Sequence, residues 1–184
     1  KLIWLHGSSV GESLAAIALA KSMLKNSSDK LLQDTKFLFT TNTIASEKFV
    51  NNKIKQGFPA IHQYHPYDHP KYVKKFLEHW RPNMAIFMES DFWPNLIYIT
   101  TKKNIPTVLA SSQMSRKSAR FWKGIGKILG KKIFRNVDLV LAVDPHHAQV
   151  FKILGAKNIK SLTSLKSIAE KPPINVKYVK NLKT

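Results

Sequence analysis

One carboxylate in this chain stands where a base would be wanted. Glu12 follows a turn of small residues, in the run His6-Gly7-Ser8-Ser9-Val10-Gly11-Glu12, and an alanine- and leucine-rich stretch of helical spacing runs on from it. Such a turn aims backbone N–H groups and a helix N-terminus at a bound anion or polar ligand. A carboxylate in the first helical turn is favoured as the anion by the helix dipole. It is then placed to accept a proton from a sugar-like hydroxyl as that oxygen attacks. The plainer alternative is a glutamate that only complements the helix start, behind a turn that only packs helix on strand. Glu89 and Asp91 form a second acidic site, two residues apart after an apolar run. One suits orientation of a ligand, and Asp91 suits the cap of the helix that follows. His62, His65 and His69 are dense enough to raise metal binding, but they straddle a Pro-rich turn and match no strong zinc spacing, so no metal is expected. His146-His147 reads as a helix start.

The elements that must position these groups follow from periodicity. Apolar runs at 2–5, 37–40, 58–64, 84–88, 105–110 and 138–143 read as strands. Helical spacing occupies the stretch after Glu12, then 43–52, 71–80, 91–103, 115–135 and 145–154, with Thr41 or Thr43 as a cap. Gly124, Gly126 and Gly130 weaken the pattern over 115–135. The βα alternation, repeated about six times, predicts an α/β Rossmann-like domain: a parallel sheet with helices on both faces. Ligands bind such sheets beyond the carboxyl ends of the strands. The segments there are His6–Glu12, Thr40–Thr43, Glu89–Asn95, Ser111–Ser115 and Asp144–His147, all rich in hydroxyls, carboxylates and amides. They suit a carbohydrate-like or phosphate-bearing ligand. The expected division is a domain over 1–164 and a Pro- and Lys-bearing linker over 165–184.

Composition sets the boundaries. A length of 184 residues with 43% hydrophobic content suits one domain with its own core. There is no cysteine, hence no disulfide framework or thiolate metal site. No run approaches the roughly 20 apolar residues of a membrane-spanning helix. Lys1 opens directly on a strand with no initiator Met, so any targeting or anchoring segment is expected to lie outside this sequence. The outlying quantity is charge: 30 Lys+Arg against 11 Asp+Glu, formally +19. It favours a polyanionic partner, nucleic acid or an anionic membrane. The stretch 115–135 concentrates it, with Arg116, Lys117, Arg120, Lys123, Lys127, Lys131, Lys132 and Arg135 and no acid. Arg120, Lys123, Lys127 and Lys131 step by three or four and share one face of a continuous helix. Phe121, Trp122, Ile125, Ile128, Leu129 and Ile133 fall largely on another, which is either core or a membrane-facing surface.

Taken together, HGSSVGES, TTNT, HPYDHP, MESDFWPN, SSQMSRKSAR and LGAKNIKSLTSLK resemble, in order, the blocks of the 3-deoxy-D-manno-octulosonic acid (Kdo) transferases. The likeness runs from Lys1 to about Lys166. It implies the N-terminal half of a GT-B glycosyltransferase, in which this domain holds a lipid A precursor and a second domain binds the donor CMP-Kdo. It implies inverting, metal-independent transfer without a cofactor, at the cytoplasmic face of a bacterial inner membrane. The family's general base falls on Glu12. Candidate substrate contacts are Ser9, Gly11, Thr41, Thr43, Glu89, Asp91, Trp93, Ser115 and Arg116. Arg120, Lys123, Lys127 and Lys131 are candidate contacts for lipid phosphates or an anionic membrane.

The chain departs from the family pattern at three points. Asp91 stands for a glutamate, Ser111-Ser112-Gln113 stands where an arginine closes the block, and Thr163 replaces a glycine before Ser164-Leu165-Lys166. The chain also ends where the linker to a donor domain is expected, so the isolated polypeptide is expected to be inactive. The competing class is a basic Rossmann-like module that binds nucleic acid or nucleotide without catalysis. Its aromatics lie mostly in apolar runs, unlike the exposed stacking platforms of single-strand binders, so no nucleic acid is expected.

Overall fold

The computed structural model describes residues 1–25, 34–89, 92–124 and 126–162. Within them the strands are β1 Leu2–His6, β2 Lys36–Thr41, β3 Ala60–Tyr64, β4 Met84–Met88, β5 Thr107–Ser112, β6 Leu139–Ala142 and β7 Ile159–Ser161. They form one parallel sheet in the order β3-β2-β1-β4-β5-β6-β7. The helices are α1 Val10–Lys25, α2 Ile44–Lys55, α3 Pro70–Trp80, α4 Pro94–Lys102, α5 Arg116–Lys123, α6 Lys127–Phe134 and α7 Pro145–Ile153. The chain winds outward from β1 to β3, then crosses back and winds the other way from β4 to β7. The reversal places a topological switch point between β1 and β4, where ligands of such sheets bind.

Alternation along the buried strands sends neighbours into two cores. Trp4, Leu38, Ala85, Phe87 and Leu109 pack with Val73, Phe76 and Leu77 of α3, Leu96 and Ile97 of α4, Ile133 and Phe134 of α6, and Val150 and Phe151 of α7. Ile3, Leu5, Phe37, Phe39, Ile86 and Met88 pack on the opposite face with Ala15, Ala16, Ile17 and Ala20 of α1 and Val50 of α2. Helices therefore cover both faces, as the βα alternation predicts.

Three expectations are corrected. The 115–135 pattern is two helices of eight residues, not one. The chain turns at Gly124, and Gly126 lies against Phe121, where a Cβ would come within 2.9 Å of the ring. β7 was not expected, because three residues that include Lys160 carry no apolar run. The helix expected over 91–103 begins at Pro94, with Trp93 at its cap position. Ser90, Asp91, Ile125, the block Thr163 to Lys166 and the linker expected over 165–184 lie outside the described residues.

Candidate active site

A parallel sheet gathers all its strand-end turns on one edge, and the register decides which are neighbours. His6, the last residue of β1, pairs with Thr40 on β2 and Phe87 on β4. The turn carrying Ser8 therefore lies between the turn of Asn42 and that of Glu89. Gly7 is buried and its N–H donates to Thr40 O at 3.1 Å. Any side chain there would press on the first turn of α1, since a Cβ would sit 3.0 Å from Glu12 Cβ. Glycine thus lets the turn close over Glu12. The Glu12 residue is 8% exposed. Its Oε2 accepts from Ser8 N–H at 2.7 Å, and its own N–H donates to Ser9 Oγ at 3.2 Å. Asn42 Nδ2 donates to Ser8 Oγ and Ser46 Oγ donates to Ser8 O, tying the first two turns together. The result is a carboxylate of fixed orientation at a helix start. Ser9 is exposed and Gly11 half-buried beside it.

The two threonines divide the tasks offered to them. Thr43 caps α2, its Oγ1 accepting from Ser46 N–H at 3.2 Å. Thr41 is buried, its hydroxyl 2.9 Å from His62 Nε2. Burial pushes the His62 imidazole below its ordinary value, opposed more weakly by the Glu47 carboxylate.

Beyond the switch point, Glu89 directly follows β4, Ser111 lies in the last two residues of β5, and both have left-handed backbone, φ 54° and 53°. Each is buried. Such a conformation costs a non-glycine residue about 1–2 kcal/mol; at Ser111 it coincides with the register shift between Leu109 and Ser112. Glu89 N–H donates to Ala110 O, and Gln113 Nε2 approaches Glu89 Oε2 at 3.4 Å. The neutral amide of Gln113 is therefore the neighbour of this buried carboxylate. Trp93 stacks on His65, centroids 4.9 Å apart, and His65 in turn meets His6 at 5.4 Å. The three histidines in and before the Pro-rich turn go separate ways: His62, in β3, to Thr41, His65 between these rings, and His69 to the cap of α3.

Sequence reasoning missed two features of this edge. Asp68 takes the N–H groups of Leu96 and Asn95, at 2.7 and 3.2 Å, and so caps α4 from 27 residues away. The second is an open cleft of about 960 Å³ between α5 and α7, which unites Ser115 and Arg116 with Arg120, Lys123, His146 and His147 over a floor of Met114, Ala119 and Val150. Ser115 caps α5. Asp144 caps α7 and holds the His147 ring at 2.8 Å. The His147 N–H, then its ring, keep the Asp144 carboxyl below its usual range. Lys127 and Lys131 do not line this cleft; the bend at Gly124 carries them onto α6, which corrects the single four-residue basic face. In strand order the Glu12 turn lies between this cleft, at β5 and β6, and a smaller groove beside β3. It lines neither.

Fold and site together define a Rossmann-like domain with a polar edge at its switch point. The architecture matches that of UDP-GlcNAc 2-epimerase from Neisseria meningitidis, with a TM-score of 0.61 over 90% of this chain and 47% of that one, at 6% identity. The sequence is more specific. Residues 1–169 match the family model described as 3-Deoxy-D-manno-octulosonic-acid transferase (kdotransferase), and the chain belongs to that family. It is 32% identical to the 3-deoxy-D-manno-octulosonic acid transferase of Rickettsia felis over 98% of this chain and 37% of that protein. It is 34% identical to the Rickettsia bellii protein of the same name, over 95% and 40%. It is 32% identical to the Haemophilus influenzae one, over 83% and 34%. The chain thus spans about two fifths of the curated relatives it matches.

Proposed function

We propose that this chain is the acceptor-holding half of a GT-B transferase that moves Kdo from CMP-Kdo to a hydroxyl of a lipid A precursor. The observation that carries the reading is Glu12: a family-motif carboxylate at a helix N-terminus, beside the switch point, oriented by the Ser8 N–H. In the inverting, metal-independent scheme, Glu12 takes the acceptor proton while the hydroxyl oxygen attacks the donor's anomeric carbon and CMP leaves. Orientation matters because a general base acts only within hydrogen-bond reach of the proton it removes. Ser9, Gly11, Thr43 and Trp93 are then acceptor contacts, and the buried Glu89 shapes the corner beside them, with Asp91 its proposed companion. Thr41 acts from behind, through His62. The cleft of Ser115, Arg116, Arg120, Lys123, His146 and His147 offers several cations and an apolar floor to a phosphorylated acceptor.

Location follows the same logic. Among the described residues no helix is long and apolar enough to cross a membrane. Phe121, Ile128 and Leu129 are 52%, 85% and 44% exposed amid the basic residues of α5 and α6. Of those named for this stretch, the described residues therefore divide: Trp122 and Ile133 enter the core, and Phe121, Ile128 and Leu129 face outward. That surface suits peripheral contact with an anionic bilayer, with Lys127 and Lys131 beside Ile128.

The test is Glu12→Gln in a transferase carrying this chain at the full length of its relatives, assayed for CMP release with folding checked by circular dichroism. Removing the base while keeping the shape is expected to lower turnover by about 10²- to 10⁴-fold. Near-normal turnover would reject the role.

A further inference from the structure

Beside β3, on the exposed flank of α3, lies a groove of about 290 Å³ lined by Tyr64, Tyr67, Tyr72, Lys75, His79 and Trp80. Nothing in the proposed reaction uses it. Tyr67, Tyr72 and Tyr64 are 83%, 50% and 42% exposed, and the Tyr67 and Tyr72 rings stand 6.3 Å apart at 58°. Clustered exposed aromatic rings mark binding surfaces, because their apolar faces gain by being covered while their hydroxyls stay polar. The deeper wall is fixed: Trp80 Nε1 donates to Gln63 Oε1 at 2.8 Å. The nearby acids are already engaged. Glu47 accepts from the Tyr64 hydroxyl, Glu78 pairs with Lys103 at 3.3 Å, and Asp68 is committed to the start of α4. Lys75, with Lys71 and Lys74 exposed on the same helix, leaves the groove's margin positive, and His79 adds a ring nitrogen for hydrogen bonding. His65 also lines the groove, and its ring meets His6 and Trp93 of the switch-point edge, so groove and edge share a wall.

We infer that this groove is a second sugar subsite, holding one pyranose ring with an anionic substituent. The C–H face of such a ring packs on Tyr67 and Tyr72, and its negative group meets Lys75 and His79. The volume is at the small end of ligand pockets, roughly 300 Å³, which suits a single ring rather than an extended chain. A carboxylate or a phosphate on the ring supplies the same charge. The inference rests on the sugar-transfer reading for the identity of the ring, and its test does not pass through transfer.

The test is saturation-transfer NMR on the 184-residue chain with glucuronate and glucose 6-phosphate, and with glucose and inorganic phosphate as single-feature controls. Transfer to the ring C–H protons of at least one acidic sugar is expected, and whichever responds identifies the preferred anion. Tyr67→Ala/Tyr72→Ala, changes at exposed positions, is expected to weaken it by about tenfold. Lys75→Ala is expected to erase the preference for the acidic sugars over glucose, while Glu12→Gln leaves binding intact. Signals unchanged in both groove variants, no signal from either acidic sugar, or displacement by inorganic phosphate as effective as by the sugars would overturn the inference. If probes bind while Glu12→Gln leaves transfer normal, the transfer reading falls alone. If transfer depends on Glu12 but no probe binds, the subsite falls alone.

Discussion

At the scale of single residues, the candidate base depends on a neighbour that has no side chain. Glu12 is oriented by Ser8 N–H, and Ser8 is where it is because Gly7 lets the turn press against the start of α1. Gly7→Ala adds one methyl group 3.0 Å from Glu12 Cβ and 3.2 Å from its carbonyl carbon, and the obstruction is mostly backbone. The expected cost is about 1–3 kcal/mol, the usual range for overpacking. Chemical denaturation of the chain checks it; an unchanged midpoint at unchanged slope would mean the turn relaxes freely. Because the strain falls on Glu12 itself, the same variant in the complete enzyme is expected to lose turnover beyond its loss of stability. Glu89 and Ser111 show a different economy. Their left-handed backbones are tolerated on a residue type that does not favour them, on two adjacent strand ends of the proposed acceptor edge.

At the scale of elements, the start of α4 shows how a strand-end turn from elsewhere in the chain positions a helix. Proline at the first position of α4 tolerates the missing N–H, and the N–H groups that remain are met by Asp68. Asp68→Ala is expected to destabilise the chain by about 1–2 kcal/mol, the value of a helix cap, and Asp68→Asn by less. Thermal unfolding followed by circular dichroism reads the difference; equal stability of all three forms would remove the cap from the account. This contact also shows what the sequence made legible. Six strands and their order along the chain were readable from apolar runs bounded by turn residues. So was the gathering of the turns that end β1, β2, β4, β5 and β6 on one edge, because parallel strands all end on the same side. Local pattern pointed to Asp91, outside the described residues, as the cap of the fourth helix; the Asp68 carboxylate that meets Asn95 N–H there comes from 27 residues away, a pairing that no periodicity reports. The break at Gly124 was present as a weakened pattern but read as one helix, since cations at three- and four-residue steps continue across it. That His146 and His147 line one cleft with Arg116 depends on the neighbouring strands β5 and β6, whose ends carry α5 and α7, and has no signature in either segment alone.

At the scale of the whole molecule, the formal charge of +19 has two possible uses, and the structure favours one. A nucleic-acid surface needs cations alone or cations with stacking rings. The surface of α5 and α6 instead sets Ile128, Leu129 and Phe121 outward among Arg120, Lys123, Lys127, Lys131 and Lys132. Exposed aliphatic groups gain nothing from phosphodiesters but are covered by acyl chains at a bilayer surface. Each Lys or Arg near an anionic leaflet contributes about 1 kcal/mol, within a Debye length of about 10 Å at 0.1 M salt. Vesicles containing anionic lipid are therefore expected to bind the chain in flotation assays, with binding falling steeply as salt is raised. Lys127→Glu/Lys131→Glu is expected to reduce vesicle partitioning by about a hundredfold or more at low salt, since two charges change sign and the net charge near the surface falls by four units. Ile128→Ser separates the two uses. It removes an 85%-exposed aliphatic side chain at no cost to the core and without changing the charge, so vesicle binding drops while binding to a random oligonucleotide is almost unchanged. An Ile128→Ser chain that keeps full vesicle affinity would return the charge to a purely electrostatic role and detach α6 from the membrane.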